Sequence, residues 1–150
     1  MNAKDVIALL SLQPHPKEGG FFRETYRSPL STAIYYLLTP ETFSAMHKLP
    51  GDEIFHFYLG DAVEMLQLFP DGTGKFITIG SDIDDRAQPQ VVVPGGTWQG
   101  SRLLPGGTFA LLGTTMSPAF EYPEYEAGSR ETLTKAFPKF EKHIQLLTLA

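Results

Sequence analysis

The side chains best suited to proton transfer or metal binding gather in one stretch, Met46 to Gly60, MHKLPGDEIFHFYLG, which holds His47, Glu53 and His56. An imidazole titrates near neutrality, and a carboxyl does so once burial raises its pKa. A converging His and Glu can therefore act as a general acid and base. The same two side chains can also serve as metal ligands. Residue parity says which of them converge. Short apolar segments flank a Pro50-Gly51-Asp52 turn, which reads as two strands and their connection. If the turn preserves alternation, His47, Leu49, Glu53, Phe55 and Phe57 share one face. His56 and Tyr58 then take the other face, unless a bulge re-aims them. A His and a Glu turned into an apolar interior are costly unless paired, hydrated or metal-bound, which marks them as a site. Tyr36, Tyr35 or Tyr58 could supply a second acid. Trp98 and the phenylalanines could stack on a sugar or base ring. Arg23 could meet a phosphate or carboxylate, although an Arg in a strand is more simply a surface charge. His15 reads as a loop residue and His143 as an exposed helix residue, so neither is a candidate.

The elements that position these groups are short and many. Fourteen glycines and twelve prolines are spread along 150 residues and punctuate strand-length apolar segments. Strands are expected over Phe21–Ser28, Ser31–Leu38, Phe43–Leu49, Glu53–Tyr58, Ala62–Phe69, Lys75–Gly80, Gln90–Val93, Thr97–Leu104, Thr108–Met116 and Phe120–Glu126. Both faces of Ser31–Leu38 are apolar, which predicts cover on both sides, by a second layer or a subunit contact. Helices are expected at Asn2–Leu12, stopped by Pro14, and from Ser129 to the end, restarting at Pro138. The expected fold is all-β, a sandwich or barrel with short N- and C-terminal helices, in a single domain over 1–150. A net charge of −5 with no basic cluster argues against nucleic acid. No cysteine is present, which removes disulfides, thiolate nucleophiles and Cys-based zinc. No signal-peptide pattern or membrane-length apolar run stands out, so no membrane association and a cytoplasmic location are expected.

Two spacings then point to a family. His47, Leu49, Glu53 and Gly60 fall on the first cupin motif, H-x-H-x(3,4)-E-x(6)-G, with Leu49 where the second His stands. Pro94, Gly96 and Gln99 fall on the second, P-x-G-x-x-H, with Gln99 in place of the His. HPKEGGFFRETYRS, STAIYYLL, DEIFHFYLG, VPGGTWQGS and LLGTTMSPAFEY together resemble the fifth cupin family, catalogued as a domain of unknown function. One departure is Ala119, where that family usually has Gly. The resemblance implies a jelly-roll barrel of the RmlC-like kind, usually a homodimer, with a small-molecule pocket inside. Its better-understood relatives by fold are sugar-nucleotide epimerases and isomerases. The implied activity is isomerase-like or epimerase-like chemistry on a carbohydrate derivative or nucleotide. His47, Glu53 and Tyr36 would carry the catalysis. Arg23, His56, Tyr58, Trp98, Gln99 and Glu121 would bind the ligand. Two other readings stay open: a binding module without turnover, and a metal-dependent cupin. In the latter, His47, Glu53 and Gln99 would form a reduced ligand set for Zn, Ni, Mn or Fe.

Overall fold

The computed structural model describes residues 1–149. Helix α1 (Ala3–Leu10) opens the chain. Asn2 and Asp5 cap it reciprocally, each side chain accepting from the other's backbone N–H at 3.0 and 2.8 Å. Eleven strands follow: β1 (Gln13–Pro14), β2 (Phe21–Ser28), β3 (Ser31–Leu38), β4 (Phe43–Lys48), β5 (Glu53–Gly60), β6 (Val63–Leu68), β7 (Gly74–Ile79), β8 (Gln90–Val93), β9 (Trp98–Leu103), β10 (Ala110–Met116) and β11 (Glu126–Ala127). Helices α2 (Arg130–Ala136) and α3 (Glu141–Leu146) close it. The strands form two antiparallel sheets, ordered β1-β2-β3-β10-β5-β8 and β11-β4-β9-β6-β7. Among the described residues no helix is long and apolar enough to cross a membrane.

Alternation sorts the side chains into three layers. Tyr36, Leu38, Phe55 and Leu112 of the first sheet pack against Val63, Met65, Ile79 and Leu103 of the second, inside the roll. The opposite face of β6 sends Leu66 and Leu68 outward, where Leu133, Phe137, Ile144 and Leu147 of the C-terminal helices cover them. Helix α1 covers the outside of the first sheet, with Val6 and Leu12 on Leu37, Phe109 and Leu111. The double cover expected for Ser31–Leu38 is therefore supplied within one chain around Leu37. Each such fully buried aliphatic side chain stabilises the fold by about 1.5–3 kcal/mol.

Most expected element bounds shift by one or two residues, and two differences have a clear cause. Phe120–Glu126 is not a strand: Tyr122–Glu124 is a 3-10 turn, and only Glu126–Ala127 pairs, with Lys48 and His47. Pro123 has no N–H to give a ladder and sits well at the start of a turn. Strand β10 begins at Ala110, not Thr108. The Thr108 N–H and hydroxyl instead donate to the Asp61 carboxylate at 2.7 and 3.1 Å.

Candidate functional site

The turn at 50–52 does carry alternation through, so His47 and Glu53 both face the interior, 1% and 8% exposed. Strand β4 makes this possible with a bulge. Ser44 pairs with Ser101 and His47 with Gln99, so Ala45 and Met46 together oppose Gly100. Ser44 and His47, three residues apart, thus both turn inward, while Met46 joins the outer core. Gly100 leaves the bulge room. A Cβ there would sit 2.6 Å from the Met46 sulfur.

Inside, the polar groups connect. Gln99 Nε2 donates to Glu53 Oε1 at 2.9 Å. His47 Nδ1 lies 2.7 Å from the Ala45 carbonyl, so that nitrogen carries the proton in the neutral ring. Its Nε2 then presents a lone pair 3.5 Å from Glu18 Oε1. Ser44 Oγ donates to the other Glu18 oxygen at 2.7 Å. Glu18 enters on the loop between β1 and β2, which turns back at Gly19 and Gly20 (φ +95° and +74°). The Tyr36 hydroxyl donates to the Gly19 carbonyl. His15 Nδ1 accepts from the backbone N–H groups of Lys17 and Glu18 at 3.2 and 3.0 Å. Two buried atoms of the second sheet's inner face, Gln67 Oε1 and Ser101 Oγ, have no partner.

Of these groups, Glu53, Glu18 and His15 border a cavity of about 30 Å³. Glu53, Thr114 and Leu49 line it on one side, His15, Glu18, Phe22 and Ile34 on others, and Phe120 and Tyr122 close the mouth. Such a volume holds about two waters, so a sugar-sized ligand must displace the mouth. His47 and Gln99 sit behind Glu18 and Glu53. Tyr125 stacks on the His47 ring at 5.0 Å, and Lys17 Nζ lies 5.8 and 5.9 Å over the Tyr122 and Tyr125 rings.

The electrostatics follow from burial without a buried counter-cation. Burial raises the Glu53 pKa, and the nearby Glu18 raises it further, against the pull of His47, Gln99 and Thr114. Burial also raises that of Glu18, opposed by His15, Ser44 and Tyr36. His47 and His15 shift downward, each chiefly by burial. The site is thus two carboxyls held toward their neutral form beside two imidazoles held toward theirs.

The structure brings together only part of the sequence-derived set. His47, Glu53, Gln99 and Tyr36 converge. Arg23 does not: it follows Phe22 onto the outer face, where its Nε donates to the Leu10 carbonyl at 2.7 Å and its guanidinium covers Tyr35. His56 and Tyr58 are outside as parity predicts. His56 bonds Thr115 Oγ1 at 3.0 Å and stacks on Tyr58, whose ring occupies the space a Gly113 Cβ would need. Trp98 is on the outer face of β9, among the C-terminal helix core, with Lys48 Nζ 4.8 Å over its ring. Glu121 is exposed at the rim, paired with Arg27 at 3.0 Å. For Arg23, His56, Tyr58 and Trp98 the outer placement has one cause: in each strand they fall one position from an inward-facing neighbour, whereas Glu121 lies outside any strand. His15 reverses the expectation, since it is a wall of the cavity. Glu18 and Ser44 were not singled out by spacing, because one lies in an irregular loop and the other before a bulge. The one signal was Gln67, a polar residue in an apolar strand.

The donor set tests the metal reading. Among the described residues no three His, Cys, Asp or Glu side chains are arranged to hold a metal ion. Gln99 turns its amide N–H toward Glu53 and so offers a donor where a ligand would need a lone pair. The residues do not fit a metal centre.

Comparison with known proteins agrees with this architecture. The family model described as Cupin superfamily (DUF985) matches residues 4–128. The chain is a member of that family. This cupin is 30% identical to the uncharacterized protein YML079W of Saccharomyces cerevisiae, over 89% of this chain and 79% of that one. The crystal structure of protein SO0799 from Shewanella oneidensis superposes with a TM-score of 0.93 at 33% identity, covering 99% of this chain and 98% of that one. A hypothetical protein from Leishmania major gives 0.94 at 26% identity, with both chains fully covered (100%). Oxalate decarboxylase from Bacillus subtilis gives 0.62 at 13% identity, over 92% of this cupin and 37% of that chain, a likeness of fold alone.

Proposed function

We propose that this cupin binds a small carbohydrate derivative in the barrel and moves a proton on it, as an isomerase or epimerase does. The observation that carries the reading is the Glu53 carboxyl. It faces the cavity, is oriented by Gln99 at 2.9 Å, and is held toward neutrality by burial. Burial makes its ionised form a stronger base, so the Glu53 carboxylate can take a proton from the carbon beside a carbonyl and, as the resulting acid, return it. Glu18 is the second acid on the cavity wall, and the His47 Nε2 behind it, 3.5 Å away, can accept its proton. Tyr36 is a positioning residue in this scheme, since its hydroxyl is committed to the Gly19 carbonyl.

Proton transfer at carbon has a direct signature. Incubation in D₂O with a panel of aldoses, ketoses and their derivatives should wash deuterium into one of them, detected by mass spectrometry. Glu53→Gln should abolish the exchange, by about 10²-fold or more. Exchange that survives the substitution rules out Glu53 as the base. Binding without exchange leaves a binding module, which the same pocket supports. We further propose that this chain pairs with a second copy through the uncovered part of the first sheet's outer face. There Tyr58, Val92 and Leu59 stand 52%, 51% and 45% exposed.

A further inference from the structure

The charge of the pocket is one-sided. Glu18 and Glu53 face the cavity, yet no Lys or Arg lines it. Glu24 also reaches the lining, but Arg27 already neutralises it with bonds of 2.7 and 3.0 Å. Lys17 stays at the mouth over two tyrosine rings. The imbalance extends to hydrogen bonding. His47 commits its Nδ1 proton to Ala45, so Glu18 Oε1 faces a lone pair unless a proton joins them. Carboxyl groups dominate its polar lining, and the rest, His15 apart, is aromatic (Phe22, Phe120 and Tyr122), aliphatic (Ile34, Leu49 and Met116) or hydroxyl-bearing (Thr32 and Thr114).

We propose that the ligand carries an amino group, and that Glu18 with Glu53 recognises it as an ammonium. An ammonium supplies three donors and no acceptor. It supplies the positive charge against which the two buried carboxyls, otherwise held toward their neutral form, can ionise. The aromatic walls favour it through their ring faces. An anionic ligand such as a uronate or a sugar phosphate meets two carboxyls and no cation. This deepens the carbohydrate reading above and rests on the same pocket. The ligand class is an amino sugar or a similar amine-bearing polyol.

A matched series tests it: D-glucosamine, D-glucose and D-glucuronate, titrated calorimetrically into the wild-type protein and into Glu18→Gln. Glucosamine is expected to bind wild type at least about tenfold more tightly than glucose, the advantage of a charge-assisted over a neutral hydrogen bond. Glucuronate is expected not to bind. In Glu18→Gln the amine advantage, the ratio of glucosamine to glucose affinity in the same variant, should fall below about threefold. Glucuronate binding as well as glucosamine, an amine advantage untouched by Glu18→Gln, or no binding by any of the three would each overturn the proposal. If Glu18→Gln does not fold, the wild-type order alone decides. The two readings fail separately. Amine preference without deuterium exchange sinks the isomerase reading only. Exchange on a uronate with no amine preference sinks this inference only.

Discussion

The two buried carboxyls govern how the protein responds to pH. Glu18 and Glu53 both titrate above the ordinary 4.5, so the folded state holds their protons more tightly than the unfolded chain does. Their contribution to stability is full below about pH 4.5 and is lost as pH rises through the raised folded values. His15 and His47 shift below 6.5, and their contribution runs the other way. It is full above pH 6.5 and is lost as pH falls through the lowered values. Glu53→Gln removes one carboxyl and keeps the shape. The variant should therefore gain on wild type as pH rises from about 4.5 to about 8. Urea midpoints at the two pH values measure this. A variant that loses ground as pH rises would mean that the Glu53 carboxylate is stabilised, not strained, by its surroundings.

At the scale of elements, the site depends on the loop that carries Glu18 and on the bulge that turns Ser44 and His47 together. Gly20 has φ +74°, and a Cβ there would lie 2.7 Å from the Tyr36 hydroxyl oxygen and 2.9 Å from the Leu37 carbonyl. Gly20→Ala should cost about 2–3 kcal/mol in urea unfolding, and it should weaken ligand binding even where the protein stays folded. An unchanged midpoint would mean that the loop yields without disturbing Tyr36. Strand periodicity made much of this legible from sequence. Alternation placed His47 with Glu53 and put His56 and Tyr58 outside, and the motif spacing brought Gln99 to the pair. Glu18 was not legible, because an irregular loop has no period from which to infer direction. His15 was missed for the same reason. Trp98 and Arg23 were assigned to the pocket by side-chain chemistry, although the parity of their strands carries both to the outer faces. Phe140, Ile144 and Leu147, at helical spacing, pack on Leu66 and Leu68 of β6.

As a whole molecule, the cupin has a barrel interior that is apolar around Val63, Met65, Ile79 and Leu103 and polar around Glu18, His47, Glu53 and Gln99. Tyr58, Leu59 and Val92 leave an exposed apolar patch on the first sheet's outer face. Val92→Lys, half-exposed at an edge strand, should leave the monomer fold intact and shift light scattering from dimer to monomer. A wild-type protein that scatters as a monomer at tens of micromolar would rule out that face as a stable contact. The central claim is that the barrel's buried acid and imidazole groups form a ligand site, and the four histidines report on it independently. His15 and His47 belong to the pocket, whereas His56 bonds Thr115 on the outer face and His143 pairs with Glu64 under the C-terminal helix. Histidine-selective NMR during titration with the amino-sugar and sugar panel should move the ring signals of His15 and His47 saturably. His56 and His143 should stay in place, and Glu53→Gln should suppress the change. Shifts confined to His56 or His143, or no saturable shift at His15 and His47 with any ligand, would contradict a ligand site at this end of the barrel.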